Sequence, residues 1–246
     1  MSRVYGHTDP LIYKNIDFAS DTKVVFLSGL GMDIRRQREG FFRRFALTHS
    51  VSYLALDYTR YIAQFSDKED FCLDTTLPKT LELLQGSKEK LILCGLCYGG
   101  SIALKVSEQI PEKIAGMVML SPLYETPEYP FLEKSTAFLI EREERLKQYR
   151  FDVQKLQKVI IFRQMIQALS KKGPRALRSA YQGPVHIFHG EKDNLVPLEN
   201  SFHVKEGLKN PNVHIHVIQK AGHGVISDFE WKEPMQILSR YLERTS

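Results

Sequence analysis

Short apolar runs and longer amphipathic stretches alternate along this chain. The runs at Leu11–Asp17, Lys23–Ser28, Val51–Leu56, Leu91–Cys94, Gly116–Leu120, Val185–His189 and Val213–Ile218 read as strands. Apolar positions recur at helical spacing over Ile34–Thr48, Phe71–Gln85, Tyr98–Gln109, Leu198–Leu208 and Phe229–Arg244. A strand that is apolar throughout has both faces covered. The alternation therefore predicts an α/β fold, a mostly parallel twisted sheet with helices on both faces. Leu11–Asp17 is the candidate for an antiparallel edge strand.

One segment interrupts this rhythm. Residues 123–182 carry no strand candidate and are helical in pattern over Phe131–Tyr149 and Val153–Lys171. The expected organisation is a core formed by residues 1–122 and 183–246, with a helical insertion at 123–182. At 246 residues and 43% hydrophobic, the chain can bury one sizeable core. No apolar run approaches the roughly 18–20 residues of a membrane span, and no N-terminal apolar leader is visible, so the expectation is a soluble, cytoplasmic protein. The insertion holds twelve Lys/Arg against seven Asp/Glu, an excess equal to the +5 of the whole chain. Basicity thus belongs to the insertion and does not mark a general nucleic-acid surface. Three cysteines, Cys72, Cys94 and Cys97, form no visible disulfide framework.

The chemistry concentrates at Gly95-Leu-Cys97-Tyr-Gly99-Gly100, where the run Leu91–Cys94 gives way to a helix. Glycines two positions to either side of Cys97 let the strand and helix backbones pass closely, and the apex residue of such a turn is strained. The helix N-terminus behind the thiol favours a developing anion. The pattern resembles the nucleophile elbow of the α/β-hydrolases, with Cys in place of the usual Ser. Three further segments are similar to that superfamily's motifs and follow its order. Ser28-Gly-Leu30-Gly-Met32-Asp33 resembles the oxyanion loop, although Ser28 stands where its leading His is usual. His189-Gly-Glu-Lys-Asp193-Asn-Leu-Val-Pro197 resembles the acid loop, and Ala221-Gly-His223-Gly224 the histidine turn.

The resemblance implies a Cys97–His223–Asp193 triad, with oxyanion donors at the backbone N–H groups of Tyr98 and Leu30. It implies acyl transfer to water from an ester or thioester through an acyl-cysteine, with no metal or organic cofactor. Acyltransfer to another acceptor from the same intermediate is the alternative within this chemistry. A catalytically inactive small-molecule receptor is the alternative outside it. In the superfamily an insertion before the acid strand usually forms a lid. Met32, Arg35 and Phe138 are the candidates for lining an acyl pocket beneath such a lid. The basic insertion, with the arginines at 35, 36, 38, 43 and 44, would suit an acyl group on an anionic carrier such as coenzyme A or an acyl carrier protein. The bland reading of those arginines is the solvated face of a helix. The elbow is similar to that of dienelactone hydrolases and polyhydroxyalkanoate synthases. The layout is more like the small lidded carboxylesterases and monoacylglycerol lipases.

Competing readings stay open at this level. Cys97 could be a buried structural cysteine. Cys94 and Cys97 spell C-x-x-C, a redox pattern, although Cys94 falls on the strand. Zinc is disfavoured because no second Cys pair or close His pair accompanies them. Glu125 rivals Asp193 as the acid. His189 reads as structural, and His214 and His216 as residues on alternating strand positions.

Overall fold

The computed structural model describes residues 3–4, 9–30, 34–36, 39–62, 64, 73–124, 131–148, 179–223 and 232–244. Eight strands form one sheet in the order β1-β2-β4-β3-β5-β6-β7-β8. They span Arg3–Val4 (β1), Ile12–Asp17 (β2), Thr22–Leu27 (β3), Ser52–Leu56 (β4), Lys90–Leu96 (β5), Ile114–Leu120 (β6), Val185–Gly190 (β7) and Val213–Ile218 (β8). The six strands from β4 to β8 run parallel, whereas β2 pairs antiparallel with both β4 and β1. The α/β fold and the antiparallel direction of β2 therefore match the sequence pattern, but β1 pairs outside β2 and takes the edge. β1 went unforeseen because two residues carry no periodicity.

The helices are Glu39–Thr48 (α1), Tyr58–Ile62 (α2), Leu73–Gln85 (α3), Tyr98–Gln109 (α4), Phe131–Gln148 (α5), Glu199–Leu208 (α6) and Lys232–Glu243 (α7). Each long core helix follows its apolar stripe. In α1 the buried Phe42, Phe45 and Ala46 recur at i, i+3 and i+4, and Phe42 stacks on Phe26 of β3 with ring centroids 5.2 Å apart. In α7, Ile237, Leu238 and Tyr241 are buried, and Tyr241 lies where a side chain at Gly116 of β6 would stand. The sequence places one helix across 34–48, but the structure has a 3-10 turn at Ile34–Arg36 before α1. The second helical pattern of the insertion, 153–171, lies outside the described residues.

Topology locates the functional end of the sheet. The connection leaving β3 runs through α1 to β4 on one side, while that leaving β5 runs through α4 to β6 on the other. Right-handed crossovers in opposite directions put α1 and α4 on opposite faces and open a crevice between the C-terminal ends of β3 and β5. The segment Ser28–Leu30 leaves one of these ends and Cys97 the other. The C-terminal ends of β6, β7 and β8 continue the same edge.

Candidate active site

Cys97 joins β5 directly to α4 and adopts φ 50°, ψ −111°. A non-glycine residue in this region is strained and persists only where its surroundings over-determine it. Here they do. The Cys97 N–H donates to Leu120 C=O at 2.9 Å, and its own C=O accepts from the N–H groups of Gly100 and Leu123, both at 2.9 Å. The turn also needs its glycines. A Cβ at Gly95 would lie 2.6 Å from the Gly99 carbonyl oxygen, and one at Gly99 would collide with the carbonyls of Leu27 and Ser28. That second contact shows how closely the end of β3 approaches the elbow. It brings the loop that begins at Ser28 beside the N-terminus of α4, the positive end of the helix dipole.

Asp193 follows β7 in a tight loop. Its Oδ1 accepts the N–H groups of Leu195 and Val196, each at 2.9 Å, and its Oδ2 accepts Nδ1–H of His223 at 2.9 Å. The acid loop and histidine turn are stapled together by backbone bonds, Lys192 N–H to Ala221 C=O at 2.8 Å and Glu191 N–H to Ile218 C=O at 3.0 Å. Only a residue without Cβ fits at Gly190, because a Cβ there would stand 2.5 Å from the carbonyl oxygens of Ala221 and Gly222.

Asp193 fixes the His223 tautomer with its proton on Nδ1, and the Cys97 side chain interacts with the same ring. Three predicted residues from three separate loops therefore meet in one chain of contacts. Desolvation disfavours a charged imidazole here. Cys97 and Asp193 outweigh it and hold His223 up to about 10. Burial would likewise raise Asp193, but hydrogen bonds from His189, His223 and the Val196 N–H hold it well below the usual carboxylate range.

The other candidates divide. Leu30 is buried and Tyr98 opens α4, so both stand at the crevice, while Arg35 is exposed. Met32, the side chain of Phe138, Glu125 and Cys72 lie outside the described residues. Cys94 is fully buried on β5, and burial pushes its thiol up, away from the reactive thiolate. His214 and His216 stand apart from the triad, grouped with His186 of β7. His186 Nδ1 and His216 Nε2 are 2.9 Å apart, and His216 Nδ1 pairs with Glu233 of α7 at 2.9 Å. Among the described residues no group of three or more such side chains is arranged to hold a metal ion. None of the described helices is long and apolar enough to cross a membrane.

Two features escaped the sequence reading. Tyr98 is tied to α3 through Thr76 at 2.6 Å and meets Tyr58 edge-on. His189 reaches into the acid loop and touches Asp193 at 3.4 Å. No local pattern could have revealed the first. The second was signalled by the histidine before Gly190, which was read only as structural.

Residues 20–230 match the family described as Hydrolase_4, serine aminopeptidase S33. No curated protein matches the chain. Among solved structures, alpha/beta hydrolase domain-containing protein 10 from mouse is 13% identical, with all of each chain covered and a TM-score of 0.67. An esterase from Pyrococcus furiosus is 18% identical over 99% of this chain and 91% of its own, with a TM-score of 0.66. A monoacylglycerol lipase from Paleococcus ferrophilus is 21% identical over 96% of this chain and 99% of its own, with a TM-score of 0.60. At these identities the likeness shows the fold.

Proposed function

The chain belongs to the Hydrolase_4, serine aminopeptidase S33 family, and from that premise we propose that it is an acyl hydrolase cleaving an ester or thioester through an acyl-Cys97 intermediate. One observation carries this reading: a positive-φ cysteine at a helix N-terminus interacts with a histidine whose Nδ1 is held by a buried carboxylate. An ester is favoured over a peptide because an esterase and a monoacylglycerol lipase share the fold over nearly the whole chain.

The steps follow from the geometry. The Cys97 proton passes to His223 and Sγ attacks the acyl carbon. The oxyanion that forms is stabilised by the backbone N–H groups of Tyr98 and Leu30. His223 then protonates the departing oxygen or sulfur, leaving a thioester on Cys97. A water that gives its proton to His223 attacks this thioester, the acid is released, and the thiol is reprotonated. Asp193 keeps the imidazole in the working tautomer and offsets its charge throughout.

The reading extends to the insertion. In this proposal the insertion at 123–182 has the part of a lid, and Met32, Arg35 and Phe138 are the residues assigned to an acyl group and its anionic carrier. The substrate is then a small acyl ester or thioester, including one carried on coenzyme A or an acyl carrier protein. Intact mass after exposure to a series of p-nitrophenyl esters and acyl-coenzyme A thioesters tests both parts. One acyl group on Cys97, with longer anionic donors preferred, is expected. Turnover without any acylated cysteine would overturn the covalent mechanism. Equal acylation by short neutral and long anionic donors would overturn the lid assignment.

A further inference from the structure

His189 is fully buried, yet its ring is saturated with polar contacts. Nε2 lies 2.7 Å from the carbonyl oxygen of Val196, and Nδ1 lies 2.6 Å from the hydroxyl of Ser201 in the first turn of α6. These partners settle the tautomer. A carbonyl can only accept, so Nε2 carries the proton, and in the neutral ring Nδ1 must accept the Ser201 hydroxyl proton. The same Nε2 stands 3.4 Å from Asp193 Oδ2, the oxygen that accepts from His223. One carboxylate oxygen is thus approached by two imidazoles, while Oδ1 is held by the N–H groups of Leu195 and Val196.

We propose that His189 is a positioning residue for the catalytic step: its Nε2–H ties Asp193 Oδ2 to the Val196 carbonyl and so sets the direction in which the carboxylate presents itself to His223. The inference rests on the triad reading above. Its physical basis is the freedom of an aspartate about its Cβ–carboxyl bond, whose torsional wells are broad. The two backbone donors restrain Oδ1, but the plane of the group is defined only when Oδ2 is held as well. Without the Nε2 donor, the Val196 carbonyl loses a buried partner and the acid loop can re-form around a different carboxylate angle. Ser201 acts one step further out by holding the His189 tautomer. A continuous chain runs from Ser201 through His189, Asp193 and His223 to the Cys97 thiol.

A matched pair of substitutions separates positioning from bulk. His189→Gln places an amide N–H near the Nε2 position, whereas His189→Asn reaches only as far as Nδ1 and cannot donate to Val196 or Asp193. With p-nitrophenyl acetate as the probe, His189→Asn should lower kcat about 10- to 100-fold with KM nearly unchanged, the scale at which misplaced groups cost rate. His189→Gln should restore most of that loss. The downfield Nδ1–H proton resonance of His223 should persist in His189→Gln and shift or vanish in His189→Asn. Ser201→Ala, a milder variant, should lower kcat and shift the resonance in the same direction. Equal kcat and an unmoved resonance across the folded variants would overturn the proposal, and Ser201→Ala decides the matter if His189→Asn does not fold. Should the wild-type protein leave the ester intact while the resonance still responds to His189→Asn, the positioning stands and the hydrolase reading fails.

Discussion

Two imidazoles in this protein each hold a carboxylate through Nδ1 at 2.9 Å, His223 on Asp193 and His216 on Glu233. The local geometry is the same, but the protonation preferences are opposite. His223 is raised to about 10, and His216 is lowered, by burial first and against the pull of Glu233. The carboxylates differ first. Asp193 is buried and anchored by backbone N–H groups, so its charge acts through a low dielectric, whereas half of the Glu233 side chain is in water. The groups facing the other nitrogen differ as well. His223 has the Cys97 thiol beside it, while His216 meets His186, with His214 and Arg240 opposing a positive charge on its ring. A histidine–carboxylate contact is therefore not a catalytic pair by virtue of its distance. The partner on the second nitrogen and the solvation of the carboxylate decide what it can do.

The largest effect should come from removing that second partner. Cys97→Ala should lower kcat/KM by about 10⁴-fold or more, since the covalent centre is lost, measured with a p-nitrophenyl ester on folded protein. Cys97→Ser should retain part of the activity, because the surrounding groups resemble those of serine enzymes. His223→Ala should cost about 10²–10⁴-fold, the range for a lost general base, with Asp193→Asn similar through the wrong tautomer. Full activity in either variant would place the chemistry elsewhere.

The pH dependence of stability should separate the two sites with opposite slopes. His223, raised in the folded state, adds stability that is complete below its unfolded value of 6.5 and fades as pH rises through about 10. His186 is pushed down to about 4, first by burial and then by His216, His214, Arg240 and Arg244, so its contribution is complete above 6.5 and fades as pH falls through about 4. Urea midpoints across pH should therefore show His223→Ala flattening the alkaline decline and His186→Leu flattening the acid decline. The same slope in both variants would break the contrast. The smallest effect belongs to Glu233→Gln. A pair this exposed should contribute at most about 1 kcal/mol, and activity should change less than about twofold. A large loss of activity would show that the edge cluster is coupled to the triad.

Much of this was legible in the chain. Both the strand–helix alternation and the glycine spacing around Cys97 are local, and each element's burial pattern is written into its own residues. The members of the candidate site could be named because each follows a strand, and parallel strands deliver their C-terminal ends to one edge. The short β1 was not legible, and neither was α2, a single turn and a half with no stripe to read. The sequence reading gave His189 a structural part and left His214 and His216 without partners. Their contacts span thirty residues or join β8 to α7, and no period within one segment can report such a meeting.

By itself, the sequence determined the order of elements and the class of sheet and pointed to the side chains of the candidate site, because backbone propensity and hydrophobic period act over a few residues. The tertiary structure alone decided which carboxylate is desolvated, which imidazole faces a thiol and which faces another imidazole. Those distinctions depend on strand register and on the packing of α6 and α7 against the sheet. Charge preferences follow from the field at a point in space, and distant segments of the chain create that field only once they are folded together.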